Sequence, residues 1–350
     1  MADVNTVVSA IGIDLGDRDA HYAMLDERGA VIEEGHIALT ESALRQTFRL
    51  KHQAQIAIEA GSQTRWVVSV LKDLGHNIVI ANPRQVQLIT ASNSKNDAND
   101  AKLLAKLVRA DPELLSPVEL REDKHQTALL SIRARAQLVK SRVSLMHNVR
   151  GMLKSFGIRL PRATSESFLE RCRGAVPANL LPHLDGMFQI LQQLTAQIAI
   201  YDEQIETIAA EQYPETGKLR EVPGIGTLTA LAFVATIAEP QRFASSRTVG
   251  AYLGLRPKQQ QSGGRNPQLG ITKAGDGYLR KLLVQSAHCV LSSRGKDTAL
   301  KQWGLRLCER GGSNAKKRAI VAVARKLAVL LHKLWVSGQA YRPFPAAMHP

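Results

Sequence analysis

Apolar positions recur along the chain with two different periods, and the change between them falls near residue 98. Val7–Ile13 is a β-branched apolar run that closes in Gly12-Ile13-Asp14-Leu15-Gly16, which predicts a buried strand ending in a turn. Ala20–Asp26 and Val31–Ile37 flank Glu27-Arg28-Gly29, the composition of a hairpin turn. Glu41–Leu50 reads as a helix with Thr40 as its N-cap, Gln55–Glu59 as a short strand, Gln63–Leu74 as an amphipathic helix and Asn77–Ala81 as a strand. Asn82-Pro83 then breaks the chain before another helical stretch. Strands alternating with helices predict an α/β sheet with helices on its faces.

Beyond Ala98 the helical period takes over. Ala101, Leu103, Leu104, Leu107 and Val108 share a face, and Asp111-Pro112 stops that helix. Leu120–Phe156 contains no proline and reads as one extended helix; Leu184–Gln212 reads as a second, after a linker at Gly174–Pro182. Two long helices packed antiparallel predict a coiled-coil-like hairpin. Glu221 opens a mostly helical unit that runs to about Val336, and the proline-bearing tail Tyr341–Pro350 is expected to be disordered. The pattern thus predicts four segments: an α/β domain at 1–112, a helical hairpin at 113–215, a helical C-terminal domain at 216–338, and a tail at 339–350. The longest apolar stretch, Val222–Ala238, is interrupted by Pro223, Gly224 and Gly226 and is too short to span a bilayer. No signal peptide is visible at Met1–Ala10, so a cytoplasmic protein is expected, associated with the nucleoid when active.

Charge changes this picture more than composition does. The 350 residues are 44% hydrophobic and 22% charged, an ordinary globular balance. The net charge of +15 is distributed unevenly: residues 1–100 hold nine Lys/Arg against thirteen Asp/Glu, and the remaining 250 hold 37 against 18. A basic body of this size points to a polyanion, most often nucleic acid. Region 121–159 carries nine Lys/Arg and two acids, among them Arg133, Arg135, Lys140, Arg142 and Arg150. Region 294–333 carries eleven and two, including Lys316, Lys317 and Arg318. Phosphate contacts of this kind give affinity without sequence information. With 5% aromatic residues, base stacking is not the obvious mode. The three cysteines, Cys172, Cys289 and Cys308, have neither zinc-site nor disulfide-framework spacing.

Four carboxylates stand out in the acidic front. Asp14 ends the first strand, where side chains project from a sheet edge, and Glu59 ends the apolar strand Gln55–Glu59. A carboxylate terminating an apolar strand is costly unless paired or metal-bound. Asp97 and Asp100 open a helix at i, i+3 spacing and so share a face. Taken singly, each has an ordinary reading: Asp14 as a turn former, Asp97 and Asp100 as acids favoured by the helix dipole. Taken together, four hard oxygen donors suit Mg2+, and two such ions would stabilise attacking and leaving oxygens in phosphodiester chemistry.

Gly12-Ile13-Asp14-Leu15-Gly16, Ile58-Glu59-Ala60 and Lys95-Asn96-Asp97-Ala98-Asn99-Asp100-Ala101 resemble, in that order, the DEDD transposases of bacterial insertion sequences, the 110/1111 family. The resemblance implies an N-terminal domain of the RuvC, ribonuclease H type, in which Asp14, Glu59, Asp97 and Asp100 bind the catalytic divalent metal. A common family form has Thr where this chain has Asn96.

The C-terminal unit carries a second set of signals. Val222-Pro223-Gly224-Ile225-Gly226 before an apolar helix is similar to a helix-hairpin-helix, whose backbone amides hold phosphate without reading sequence. Gln259-Gln260-Gln261-Ser262-Gly263-Gly264-Arg265 is a polar loop presenting one hydroxyl between glycines; alone it is an ordinary flexible turn. A nucleophilic serine needs activation and charge stabilisation, and Arg265, Lys273, Arg280 and Lys281 are the nearest cations in sequence. The stretch Val222–Leu283 is similar to the C-terminal domain of the same transposases. That resemblance implies that Ser262 attacks DNA and forms a phosphoserine link. It also implies active sites shared between subunits of a dimer to tetramer, duplex donor and target DNA, and a non-coding bridge RNA that pairs with both.

Three other readings stay open on the sequence. A RuvC-like nuclease or junction resolvase would use metal-activated water and leave no covalent adduct. Gly12-Ile13-Asp14-Leu15-Gly16 also resembles the first phosphate loop of sugar kinases and actin-like ATPases, but no second phosphate loop or adenosine motif follows, and the basic body is unexplained. A non-catalytic nucleic-acid binder is the least ambitious reading.

Overall fold

The computed structural model describes residues 7–50, 52–84, 96–261, 264–265, 267, 269–312 and 314–344. The chain divides into two compact units, Met1–Leu120 and Arg121–Pro350.

The first unit is built on a five-stranded mixed sheet: β1 (Ala10–Leu15), β2 (Asp19–Leu25), β3 (Val31–Ala38), β4 (Gln55–Glu59) and β5 (Asn77–Ala81), in the order β3-β2-β1-β4-β5. β1, β2 and β3 form an antiparallel meander, while β4 and β5 run parallel to β1. The turn between β2 and β3 is the predicted one: Gly29 takes φ 85°, and Asp26 accepts from the Ala30 amide at 2.8 Å. Period-two alternation sorts the strands onto two faces. Ile11, Ile13, Ile56, Ile58 and Ile80 pack with Leu44 and Phe48 of α1 (Glu41–Phe48) and Val67, Val68 and Leu71 of α2 (Thr64–Asp73). Thr40 caps α1 as expected, accepting from Ala43 N at 3.3 Å. On the other face Ala10, Ala57 and Ala81 meet Leu104, Ala105 and Val108 of α3 (Asp97–Ala110). The sheet side of this second core is mostly small, with Ala10, Gly12, Ala57 and Ala81, so α3 lies close on the sheet. A Cβ at Gly12 would fall 2.0 Å from the Ala101 carbonyl oxygen and 2.4 Å from the Ala105 amide.

The second unit contains the two long helices, α4 (Asp123–Lys154) and α6 (Leu181–Gln212), which pack along one another with α5 (Phe168–Cys172) near the far end. It also contains α7 (Glu215–Leu219), α8 (Thr227–Ile237), α9 (Ser246–Tyr252), α10 (Gly277–Leu291), α11 (Ala299–Cys308) and α12 (Ala315–Ser337). Every α8 residue except Leu228 is buried, which fits its largely apolar sequence. The hairpin and C-terminal segments, separate in the sequence pattern, share one core: Ala128, Leu129 and Ile132 of α4 and Ile205 and Ala209 of α6 pack with α8, α10 and α12. The distal end of the hairpin has its own core of Val149, Leu153, Phe168, Phe188 and Leu191.

The expected disorder of the tail does not hold for residues 339–344. Tyr341 packs on the main core, its amide donates to Glu221 at 3.1 Å, and Ala299 N donates to the Pro343 carbonyl at 3.0 Å. Prolines stop a helix, but they do not prevent an extended segment from docking. Residues 345–350 lie outside the described set. No helix among the described residues is long and apolar enough to cross a membrane.

Candidate active site

The sheet positions two of the four carboxylates by register alone. Gly12 and Asp14 alternate onto the α3 face of β1, as Ala57 and Glu59 do on β4. Ile13 pairs with Ile58 in the parallel ladder, so Asp14 and Glu59 follow side by side at the ends of neighbouring strands. The loop after Glu59 is fixed by Thr64, whose hydroxyl donates to the Glu59 carbonyl at 2.8 Å and accepts from the Gly61 amide at 2.8 Å. Asp97 and Asp100 come from the first turn of α3. Asn96 is the N-cap there, accepting from Ala98 N at 3.1 Å, so the position that differs from the common family form keeps the helix start capped.

Asp14, Glu59, Asp97 and Asp100 line one cleft of ≈270 Å³, with Gly61 and Gln63 on its rim. Asp14 is half-buried, and its carboxyl is pushed up to about 6. Desolvation is the largest cause, followed by the charges of Asp97, Asp100 and Glu59; His21 pulls the other way. His21 is the residue the sequence reading missed. It stands opposite Asp14 in the β1–β2 ladder, its Nε2 is 4.0 Å from Asp97 Oδ2, and its ring neighbours that of His36 at 5.9 Å. Only the antiparallel register brings it to the cleft; no motif marks it. Among the described residues, no three His, Cys, Asp or Glu side chains stand close enough together to form a finished metal cage. The acids interact electrostatically without converging on one point. Their chemistry nonetheless fits a hard divalent cation: oxygen donors only, and a carboxyl whose ionisation its three neighbours oppose.

Ser262 and Gly263 lie outside the described residues. The base of their loop is described: Pro257 and Ile271 form an antiparallel bridge, Lys258 N donates to the Gly270 carbonyl at 2.9 Å, and Thr272 N donates to that of Arg256 at 2.9 Å. Below it, Lys273-Ala274-Gly275-Asp276 works as a clamp. Asp276 caps α10 through Leu279 N at 2.8 Å, and a Cβ on Gly275 would sit 2.2 Å from the Tyr252 carbonyl oxygen. Arg280 donates to the carbonyls of Leu253 at 3.0 Å and Ala274 at 2.7 Å. Arg280, expected beside the serine as a helper cation, is therefore spent on holding backbone.

Several other expected polyanion contacts are likewise engaged internally. Arg135 pairs with Asp202. Arg142 is 7% exposed and pairs with Glu166 at 3.1 Å. Arg150 donates to the carbonyls of Leu160 and Pro161 and lies over the Phe168 ring. These three make internal contacts within the hairpin; a count of charges along a helix cannot distinguish a structural arginine from an exposed one. Arg133 faces Asp276 at 3.6 Å with its side chain half exposed. Lys140, Arg265, Lys273, Lys281, Lys316, Lys317 and Arg318 are exposed, as are Gly224 and Gly226.

An acid-lined cleft at the end of a mixed sheet, in a chain with a basic helical unit, fits an enzyme acting on nucleic acid, and the proteins this chain resembles are transposases. The DEDD transposase profile of the IS110 type matches residues 11–158, a span containing all four acids, and the profile described as transposase IS116/IS110/IS902 family matches residues 217–303. A probable family 20 transposase of Pseudomonas aeruginosa is 30% identical over 345 residues, covering 96% of this chain and 99% of the relative. The transposase for insertion sequence element IS1111A of Coxiella burnetii is 28% identical over 342 residues, covering 96% and 92%. A pilin gene-inverting protein of Moraxella bovis is 26% identical over 279 residues, covering 78% and 76%. The chain belongs to the IS110 family of transposases.

Proposed function

We propose that this protein is a DNA recombinase of the insertion-sequence kind, in which Asp14, Glu59, Asp97 and Asp100 hold a divalent metal, Mg2+, and Ser262 is the nucleophile. The Ser262 oxygen bonds to a backbone phosphorus, the bond from that phosphorus to one sugar oxygen breaks, and the hydroxyl proton ends on the departing sugar oxygen. The products are a phosphoserine ester and a free hydroxyl end. Bound divalent metal would polarise the phosphoryl oxygens and draw the four carboxylates inward. The observation that carries the reading is the Asp14 carboxyl, pushed up to about 6 among three further carboxylates in one cleft. A cation relieves that repulsion. The strand order β3-β2-β1-β4-β5, with acids at the ends of β1 and β4, supports the ribonuclease H-type reading of the first unit.

The basic second unit would grip duplex donor and target DNA and a bridge RNA, and the active sites would be composed across the subunits of a dimer to tetramer in the cytoplasm. Ser262→Ala removes covalent protein–DNA adducts and leaves DNA binding intact. Adducts undiminished in that variant take Ser262 out of the mechanism. Hydrolysed ends with no adduct in the unsubstituted protein would favour the metal-dependent nuclease, for which the acids of the first unit suffice. Sequencing the nucleic acid that co-purifies tests guidance: a single defined short RNA supports it, and none refutes it.

A further inference from the structure

A second concavity lies in the C-terminal unit, away from the Ser262 loop in sequence. It is a groove of ≈710 Å³ between the segment from Arg220 to Ile225 and the segment from His288 to Lys296. Its two walls are locked together. Gly224, at φ 85°, sits so close to α10 that a Cβ there would lie 2.9 Å from the Ser286 carbonyl oxygen. The opposite rim is a tight turn: Gly295 N donates to the Ser292 carbonyl at 3.1 Å, and Lys301 holds the Gly295 carbonyl at 2.6 Å. The groove is therefore a formed feature of the unit.

Its electrostatics are one-sided. Arg294 and Lys296 are exposed on one wall with His288, and neither cation is in an ion pair among the described residues. Arg220, also on the lining, pairs with Glu206 at 3.3 Å. Glu221, also on the lining, accepts from the Tyr341 amide, and Asp297, next to Lys296 in sequence, accepts from the Gln302 amide group at 3.1 Å. On the facing wall Gly224 is exposed and carries no side chain, so a ligand can approach the backbone there. Cations on one side, accessible backbone on the other, and length beyond a single anion together match a chain of phosphates.

We infer that this groove seats the phosphodiester backbone of a nucleic-acid strand, with Arg294 and Lys296 each neutralising a phosphate and His288 donating an N–H to a third oxygen. The inference rests on the reading of the second unit as the part that grips nucleic acid. It gives the basic region 294–333 a formed place, since its first two cations, Arg294 and Lys296, line this groove. Duplex DNA and RNA offer the same backbone chemistry, and both are used as probes.

The test uses the full chain and fluorescence anisotropy with duplex DNA and, separately, single-stranded RNA, over a range of salt. The doubly substituted R294Q/K296Q protein is expected to lose about tenfold or more in affinity at low salt, and the log–log salt slope to become shallower by about 2. Lys296→Arg, which keeps the charge, is expected to retain affinity. Cys289 lines the groove and is exposed, so maleimide labelling of the unsubstituted protein gives a readout that requires no groove variant. Whichever polymer occupies the groove is expected to slow labelling at Cys289 more than at Cys308. Asp14→Asn, in the acid cleft, is expected to leave that protection in place. Unchanged affinity, slope and Cys289 labelling, in a protein that still binds nucleic acid, overturns the groove alone. A protein that binds neither polymer overturns the broader reading as well.

Discussion

Asp14 is held where its ionisation is opposed from several directions at once. Its native carboxyl titrates at about 6, against 3.8 for the ordinary group, with burial the first cause and the neighbouring acids the second. In the unfolded chain this residue loses its proton first, so between about pH 4 and pH 6 the unfolded state binds fewer protons and metal-free stability falls as pH rises. Above pH 6 the penalty is fully present, and below pH 4 it is absent. Asp14→Asn removes it. The variant is expected to be more stable than the parent by about 1 kcal/mol at pH 7, the linkage value being discounted because the carboxyl is partly open to water, and equally stable near pH 3.5. Thermal unfolding in chelator at the two pH values measures both. The same variant is expected to abolish strand cleavage, a stability gain with functional loss that an ordinary turn former would not show. Magnesium is expected to raise the melting temperature of the parent above pH 6, and to do so less at pH 5, where Asp14 holds its proton. The four acids were legible because each interrupts a local pattern: two end apolar strands and two open a helix at i, i+3. His21 was not, because its relation to Asp14 exists only in the β1–β2 register.

At the scale of elements, the placement of Asp97 and Asp100 depends on how closely α3 approaches β1. Gly12 permits that approach, since a side chain there meets α3 backbone, which cannot rotate aside. Gly12→Ala is expected to push α3 off the sheet, costing about 1–3 kcal/mol by overpacking. It should reduce cleavage far more than DNA binding, which is proposed above to reside in the second unit; cleavage at parental rates in a folded G12A protein would show that α3 need not sit so close. A different tension marks α12. Lys316 and Lys317 occupy its first turn, which contains no acid, so two cations face the positive end of the helix dipole. The doubly substituted K316E/K317E protein is expected to gain roughly 0.3–1 kcal/mol in stability per charge and to bind DNA more weakly with a shallower salt slope. Binding unchanged at low salt would take this helix end out of the nucleic-acid surface. Most elements were readable from period alone: β5 at Asn77–Ala81 and the two long helices fall where alternation and helical spacing put them. The roles of Arg135, Arg142, Arg150 and Arg280 were not, because their partners lie 22 or more residues away, or on carbonyls that any sequence supplies.

Across the whole molecule, charge and chemistry divide at the same place as the fold. Residues 1–120 hold twelve Lys/Arg and sixteen Asp/Glu, and residues 121–350 hold 34 and 15, so the unit with the acid cleft is the one that repels DNA. On the reading proposed above, the basic unit brings the strand to a cleft of that sign, so its cations are expected to matter for cleavage as well as for affinity. The carboxylates and Ser262 belong to different compact units, so one chain need not supply both groups to the same active site. Co-expressing Asp14→Asn and Ser262→Ala chains under different tags, and purifying the protein that carries both, separates the possibilities. Neither variant alone should recombine DNA. If a site takes its acids from one subunit and its serine from another, a mixed dimer has one intact site and one doubly inactive site. A randomly assembled dimer population then recovers about one quarter of the parental number of sites, because half the dimers are mixed. If both groups come from the same chain, the mixed dimer contains no intact site and stays inactive. Recombination by the doubly tagged species, measured as joined product, is the outcome expected here; its absence in a verified mixed assembly would place both groups on one chain.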